Sequence, residues 1–116
     1  MIILLLVIHF IADFVLQSDN MAQNKSKSNY WLTMHVLSYI ACFIILLPIM
    51  GVSVLYFILI NFILHWIIDY VTSRMSSKLY KLNKRHEFFI CIGFDQLLHA
   101  ISLIVSYNLL MNTPLF

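Results

Sequence analysis

Four apolar runs divide the chain, at about residues 2–17, 30–47, 52–73 and 88–110. A helix needs roughly 17–25 residues to cross the hydrocarbon of a bilayer, so each run is long enough and the first only just so. The interruptions differ in kind. Ser18 to Asn29 is polar and carries Lys25 and Lys27, Pro48 to Gly51 is a short corner between two helix breakers, and Arg74 to His86 is basic. In the third, Lys78, Lys81, Lys84 and Arg85 recur at near-helical spacing beside Leu79, Tyr80 and Leu82, which predicts a short amphipathic helix at the membrane surface. The pattern predicts an all-α fold over 1–116: a single-domain, integral membrane four-helix bundle. A secretory signal is not expected in the first run, which lacks a basic leader and a small-residue cleavage pattern and carries His9 and Asp13.

Polar residues inside the runs fall at helical intervals. His9 and Asp13, and His65 and Asp69, stand four apart; the fourth run has the reversed order, Asp95 then His99. Positions i and i+4 share a helix face, so each pair aims an imidazole and a carboxylate the same way. The first and third helices of an up-down bundle run in one direction and the fourth in the other. The reversal therefore sets all three carboxylates at one level and their imidazoles about 6 Å deeper, at 1.5 Å per residue. His35, near the start of the second run, joins at the carboxylate level. A quiet repeat accompanies this, since His9-Phe10-Ile11-Ala12-Asp13 parallels His65-Trp66-Ile67-Ile68-Asp69, and each opens a hairpin whose second helix carries His-x-x-Ser (His35/Ser38, His99/Ser102). A duplicated helical hairpin places its polar site at the repeat interface.

Composition strengthens the membrane reading. The chain is 62% hydrophobic and 10% charged, where a soluble domain is about half apolar and about a quarter charged. A net charge of +2 is too weak to argue for nucleic acid, and none is expected as a partner. All seven Lys and Arg lie in the first and third interruptions, on one side of the bundle, so the positive-inside rule makes that side cytoplasmic and puts both termini outside. Anionic lipid headgroups could also dock on the basic stretch. Cys42 and Cys91 have no CxxC spacing and read as small hydrophobes. Glu87, beside His86, suits the N-terminus of the fourth helix.

Three aspartates in a bilayer need compensation, at about 2.5–3.5 kcal/mol each at a helix centre. Pairing with histidine supplies part of it, and a metal can supply on the order of 10 kcal/mol. His9, His35, His65 and His99 with Asp13, Asp69 and Asp95 form a donor set suited to Zn, Mn, Fe or Ni. Two ions sharing a bridging aspartate would use all seven. Gln17, Ser38, Asn61, Gln96 and Ser102 stand beside these residues or on the same stripes and could orient the ligands or link helices. Gly93 is expected to allow a close helix approach.

The motifs His9-x-x-x-Asp13-Phe14-x-x-Gln17, His35, His65-x-x-x-Asp69-Tyr70 and Asp95-Gln96-x-x-His99 resemble a family of small bacterial and phage-encoded membrane proteins of unknown function. More distantly, the chain is similar to bacterial inner-membrane proteins described as metal-dependent hydrolases. The resemblance implies metal-assisted hydrolysis in a bacterial inner membrane. In such a hydrolase the four histidines and three aspartates would be ligands, with one of Asp13, Asp69 and Asp95 bridging or acting as base. A chamber below the cytoplasmic headgroups suggests an amphiphilic substrate, a lipid or lipid-linked phosphate. The alternatives are a metal-ion or proton transporter, which with four short helices requires a homo-oligomer, and an interaction protein with a structural metal.

Overall fold

The computed structural model describes residues 1–114, whose regular structure is entirely helical. Four helical rods pack together: α1 (Ile2–Val15), α3 (Asn29–Met50), α4 (Ser53–Lys81) and α5 (Arg85–Met111), with a short α2 (Asp19–Asn24) between the first two. The rods α3, α4 and α5 are long and apolar enough to cross a membrane, and α1 is a shorter apolar helix.

Each rod buries one stripe. On α4 it is Val54, Phe57, Asn61, His65, Asp69 and Thr72, at intervals of three and four; on α5 it is Cys91, Asp95, His99, Leu103 and Ser106. Leu32, His35, Val36, Tyr39, Phe43 and Leu46 do the same on α3, and Leu5, Ile8, His9, Ala12 and Asp13 on α1. The outward faces are apolar: Ile3 is 78% exposed, and Val52 and Leu109 are 72% exposed. Apolar surface on this scale marks a face that water does not cover. The interior is divided along its length. Leu5, Tyr39, Phe43, Leu46, Phe57 and Leu103 form a dry core towards one end, and the ionisable residues collect beyond it.

Four details differ from the pattern read along the chain. First, α1 ends in a widened π turn over Ile11–Val15, where the Leu16 N–H reaches back five residues to the Ile11 carbonyl at 2.9 Å. The chain then turns into α2, whose Ser18 hydroxyl accepts the Met21 N–H at 3.2 Å, so Gln17 lies past the end of α1 rather than on its stripe. Second, α3 continues through Pro48. A 3₁₀ stretch, Cys42–Leu46, precedes the proline, which sits in the first turn of a renewed helix where a missing N–H costs nothing. The chain turns instead at Gly51, whose φ of +57° favours glycine.

Third, the amphipathic stretch after Arg74 is no separate helix but the end of α4. This helix has 29 residues and is about 43 Å long against about 30 Å of hydrocarbon. No glycine or proline interrupts it, and Lys78 and Lys81 in its last turn complement the helix dipole. Arg74 ties it to α3, donating to Asn29 Oδ1 at 2.9 Å while stacking on Tyr70. Asn83, at φ +56°, completes the tight turn into α5. Fourth, Gly93 makes no close approach: it is exposed, and a Cβ there would meet nothing within 4 Å.

Candidate metal centre

Asp69 is the hub where the stripes meet. Its Oδ2 lies 3.3 Å from His65 Nε2 one turn back on α4 and 3.3 Å from His35 Nε2 on α3, and its Oδ1 lies 3.1 Å from His99 Nε2 on α5. Asp13 arrives from α1 through the π turn, with Oδ1 3.0 Å from His35 Nε2 and 3.7 Å from His65 Nε2. The two imidazole nitrogens, His35 Nε2 and His65 Nε2, face each other at 3.3 Å. All four residues are buried.

These distances are those of donors around one ion. Metal bonds of about 2.0–2.1 Å put tetrahedral donors about 3.3 Å apart. Asp13, His35, His65 and Asp69 offer one atom each, all within 4.8 Å of one another, and the closest approaches cluster around that edge length. Asp13, Asp95 and His99 form a second group by the same criterion. Asp13 belongs to both. The buried His/Asp cluster could thus hold a metal ion.

The rings are aimed by packing. His65 and His99 stack with centroids 3.9 Å apart and planes 15° apart, and Tyr39 lies 3.9 Å from the His65 centroid. Among the described residues, the Nδ1 atoms of His35, His65 and His99 meet no hydrogen-bond partner. Each of those rings therefore presents Nε2 to the centre.

His9 stands apart from both groups. The Tyr39 hydroxyl meets its Nδ1 at 3.0 Å, and its Nε2 meets Gln96 Oε1 at 2.8 Å. Gln96 in turn donates through Nε2 to Asp13 Oδ2 at 3.1 Å and to Asp95 Oδ2 at 3.0 Å. His9 thus reaches the carboxylates through an amide, with its own contact to Asp13 Oδ2 at 3.9 Å. Thr72 donates to the other Asp95 oxygen.

A family model described as "Protein of unknown function (DUF3307)" matches residues 1–115. The chain belongs to the DUF3307 family. No curated protein and no solved structure matches it. Such membership agrees with the resemblance drawn above to a family without an assigned activity, and it leaves the chemistry to be read from the centre itself.

The remaining polar residues divide by distance from that centre. Asn61, two turns above Asp69, donates to Ser106 Oγ at 2.8 Å and links α4 to α5. Ser102 donates to the His99 carbonyl at 2.9 Å; among the described residues Ser38 makes no side-chain hydrogen bond, and neither hydroxyl hydrogen-bonds to a candidate ligand's ring or carboxylate. Gln17 lines the cavity below the cluster, and its buried Oε1 has no partner among the described residues. His86 and Glu87 are exposed at the start of α5.

Three further residues belong to the site, and two of them carry a weak signal in the sequence. Thr72 follows Asp69 by three and Tyr39 follows His35 by four, so both share stripes already in view. Lys25 gives no such signal. It comes from the end of α2 and sets Nζ 3.0 Å from Asp69 Oδ2. Burial alone would lower its pKa, but the Asp69 and Asp13 carboxylates outweigh this and hold it above its ordinary value.

Below the carboxylates a cavity of about 560 Å³ is walled by the end of α1, by α2 and Lys25, by α4 from Asp69 to Lys81 and by the first turns of α5. Its floor is Asp13, Asp69, Asp95 and Gln96. Gln96 is the amide that keeps two of those carboxylates in place. Replacing it with leucine is expected to lower metal affinity about 10–100-fold without removing a donor. Competition against a chromophoric chelator reads this directly, and an unchanged affinity would show that the amide orients nothing.

Proposed function

We propose that this chain is an integral membrane four-helix bundle whose buried centre holds two divalent transition-metal ions and hydrolyses an amphiphilic substrate, a lipid or lipid-linked phosphate ester. One observation carries the reading: two donor groups share Asp13 at the floor of a cavity large enough for a headgroup. The apolar outer faces support insertion, with α1 as the fourth, shorter span. Lys25, Lys27 and Lys81 all wall the same cavity, which supports a common side for the two basic connectors. By the positive-inside rule that side is cytoplasmic, in a bacterial inner membrane with both termini outside.

Asp13, His35, His65 and Asp69 would hold one ion, and Asp13, Asp95 and His99 the other. Bound ions of this class polarise a phosphoryl or acyl oxygen and bring the pKa of water towards neutrality. Asp95 faces the cavity, gripped by Thr72 and Gln96, and is the carboxylate placed to accept a proton. His9 and Tyr39 brace Gln96 from behind. The dry core beyond the histidines, with Phe43, Leu46, Phe57 and Leu103, excludes water from that side and supports a one-sided chamber over a transit path.

Elemental analysis of the detergent-purified chain is expected to find stoichiometric transition metal. A panel of phospholipids and lipid-linked phosphates is expected to contain a substrate whose turnover stops on chelation and returns on adding metal. Absence of stoichiometric metal overturns the reading. Metal uptake into proteoliposomes without turnover would favour a transporter instead.

A further inference from the structure

The contact between Lys25 and Asp69 conflicts with a loaded centre. Asp69 Oδ2 is 3.0 Å from the Lys25 ammonium and also 3.3 Å from both His35 Nε2 and His65 Nε2, the donors of the four-residue group. An ion about 2.1 Å from that oxygen would lie within about 5 Å of Nζ, two cations on one carboxylate oxygen. The ion and the ammonium compete for its charge, and Lys25 is the one able to leave, because its side chain is 18% exposed and forms part of the cavity wall.

The wall offers it somewhere to go. Asp69, Ser73, Ser77 and Lys81 follow one another at intervals of four along α4, and all four line the cavity. They make a polar row from the carboxylates outward. Ser73, one turn from Asp69, is only 9% exposed, and its hydroxyl has no hydrogen-bond partner among the described residues. A buried hydroxyl without a partner costs stability unless a ligand meets it. Lys27 lines the cavity as well. Two divalent ions on three carboxylates leave a net positive charge, so a loaded floor attracts an anion.

We infer that the cavity is a phosphate-group site built from Lys25, Ser73 and Lys81, and that Lys25 passes from Asp69 to the phosphate when metal enters. Metal and phosphate then bind cooperatively. The inference rests on the metal centre proposed above and deepens it: the ligand carries a phosphate, and its affinity is tied to metal through one lysine. Phe14, Phe88 and Ile92 on the same walls offer apolar surface to an attached chain, so the phosphate of a lipid headgroup fits as well as the free ion.

The test uses the full chain in non-ionic micelles, titrated with Co²⁺ and followed by its visible absorption. In the wild type, inorganic phosphate or phosphatidic acid in the micelle is expected to tighten Co²⁺ binding about tenfold, within the usual range for coupled sites. A response to phosphatidic acid alone assigns the site to a lipid headgroup, and an equal response to both assigns it to the phosphate group itself. Phosphatidylcholine, whose phosphate is capped, is expected to do less. Lys25→Met is expected to bind Co²⁺ more tightly than the wild type without phosphate, and to gain nothing from adding it. Ser73→Ala and Lys81→Met are expected to shrink the phosphate effect, and they carry the test if Lys25→Met does not fold. Co²⁺ binding that is indifferent to phosphate in the wild type overturns this inference and leaves the metal centre standing. No Co²⁺ binding at all overturns both.

Discussion

Replacing Asp13 with alanine is expected to strip the purified chain of both metal equivalents, whereas Asp95→Ala is expected to retain one. Asp13 alone belongs to both donor groups, so its loss removes a vertex from each. Its placement is also the least replaceable. It hangs from the widened turn at the end of α1, and its two oxygens face different partners, Oδ1 towards His35 and His65 and Oδ2 towards Gln96. Asp95 serves only the second group, and its removal leaves Asp13, His35, His65 and Asp69 where they are. Losing a direct donor should lower affinity by more than the roughly 100-fold upper limit for the outer partners that orient donors. Metal measured by mass spectrometry against protein concentration, after exhaustive dialysis, reads the result as a stoichiometry. Loss of a single equivalent from each variant would mean separate ions with no shared carboxylate.

The meeting of the helices at this centre owes most to residues that the chain displays openly. His65 and Asp69 belong to a stripe that also contains Val54, Phe57, Asn61 and Thr72, and the intervals of three and four make that stripe legible in the order of the residues alone. The same holds for Asp95, His99 and Leu103 on α5. In a chain with apolar outer faces the polar residue is the one that stands out, so the inward face announces itself. Helix ends are less legible. Nothing between Ser53 and Lys81 stops a helix, and a drop in hydropathy after Ser73 marks where an apolar layer could end rather than where the helix does. Pro48 looks like a stop but fits a fresh first turn.

Two features of the site have no periodic signature at all. The π turn adds a residue to the α1 register, and the spacing of His9 and Asp13 does not reveal it. His9 accordingly looks equivalent to His65 in sequence yet meets Tyr39 and Gln96 instead of a donor group. Lys25 reaches the hub from a polar connector, 44 positions from Asp69, and one lysine in such a stretch is indistinguishable from a solvated one until the connector is folded. That lysine changes how the cluster is understood. Without it, three carboxylates and the histidines would be a site waiting only for metal. With it, the cluster has a cation of its own, the Lys25 ammonium 3.0 Å from Asp69 Oδ2.

The hub makes a further demand on stability, and Asp69→Leu is expected to cost more than any other single replacement in the cluster. Asp69 receives Lys25 Nζ at 3.0 Å, His99 Nε2 at 3.1 Å and the Nε2 atoms of His35 and His65 at 3.3 Å each. Leucine has nearly the right volume and no acceptor, so four donors from the α2 end, α3, α4 and α5 lose their common partner. Breaking a buried ionic cluster from one side typically costs about 3–5 kcal/mol. The low end is expected here, because the Lys25 ammonium can retreat into the cavity while the three imidazoles are fixed on packed helices. Asp69→Asn keeps one acceptor oxygen for His99 without the charge and should recover about half of the loss. Both variants belong in chelator, since bound metal would stabilise the wild type by mass action and exaggerate the difference. Denaturant unfolding in mixed micelles, followed by tryptophan fluorescence, measures it; Trp66 lies on α4 one turn before Tyr70, where its indole donates to Thr33 on α3 at 3.1 Å. A leucine variant as stable as the wild type would mean that the four donors find other partners, and Asp69 would then be no hub.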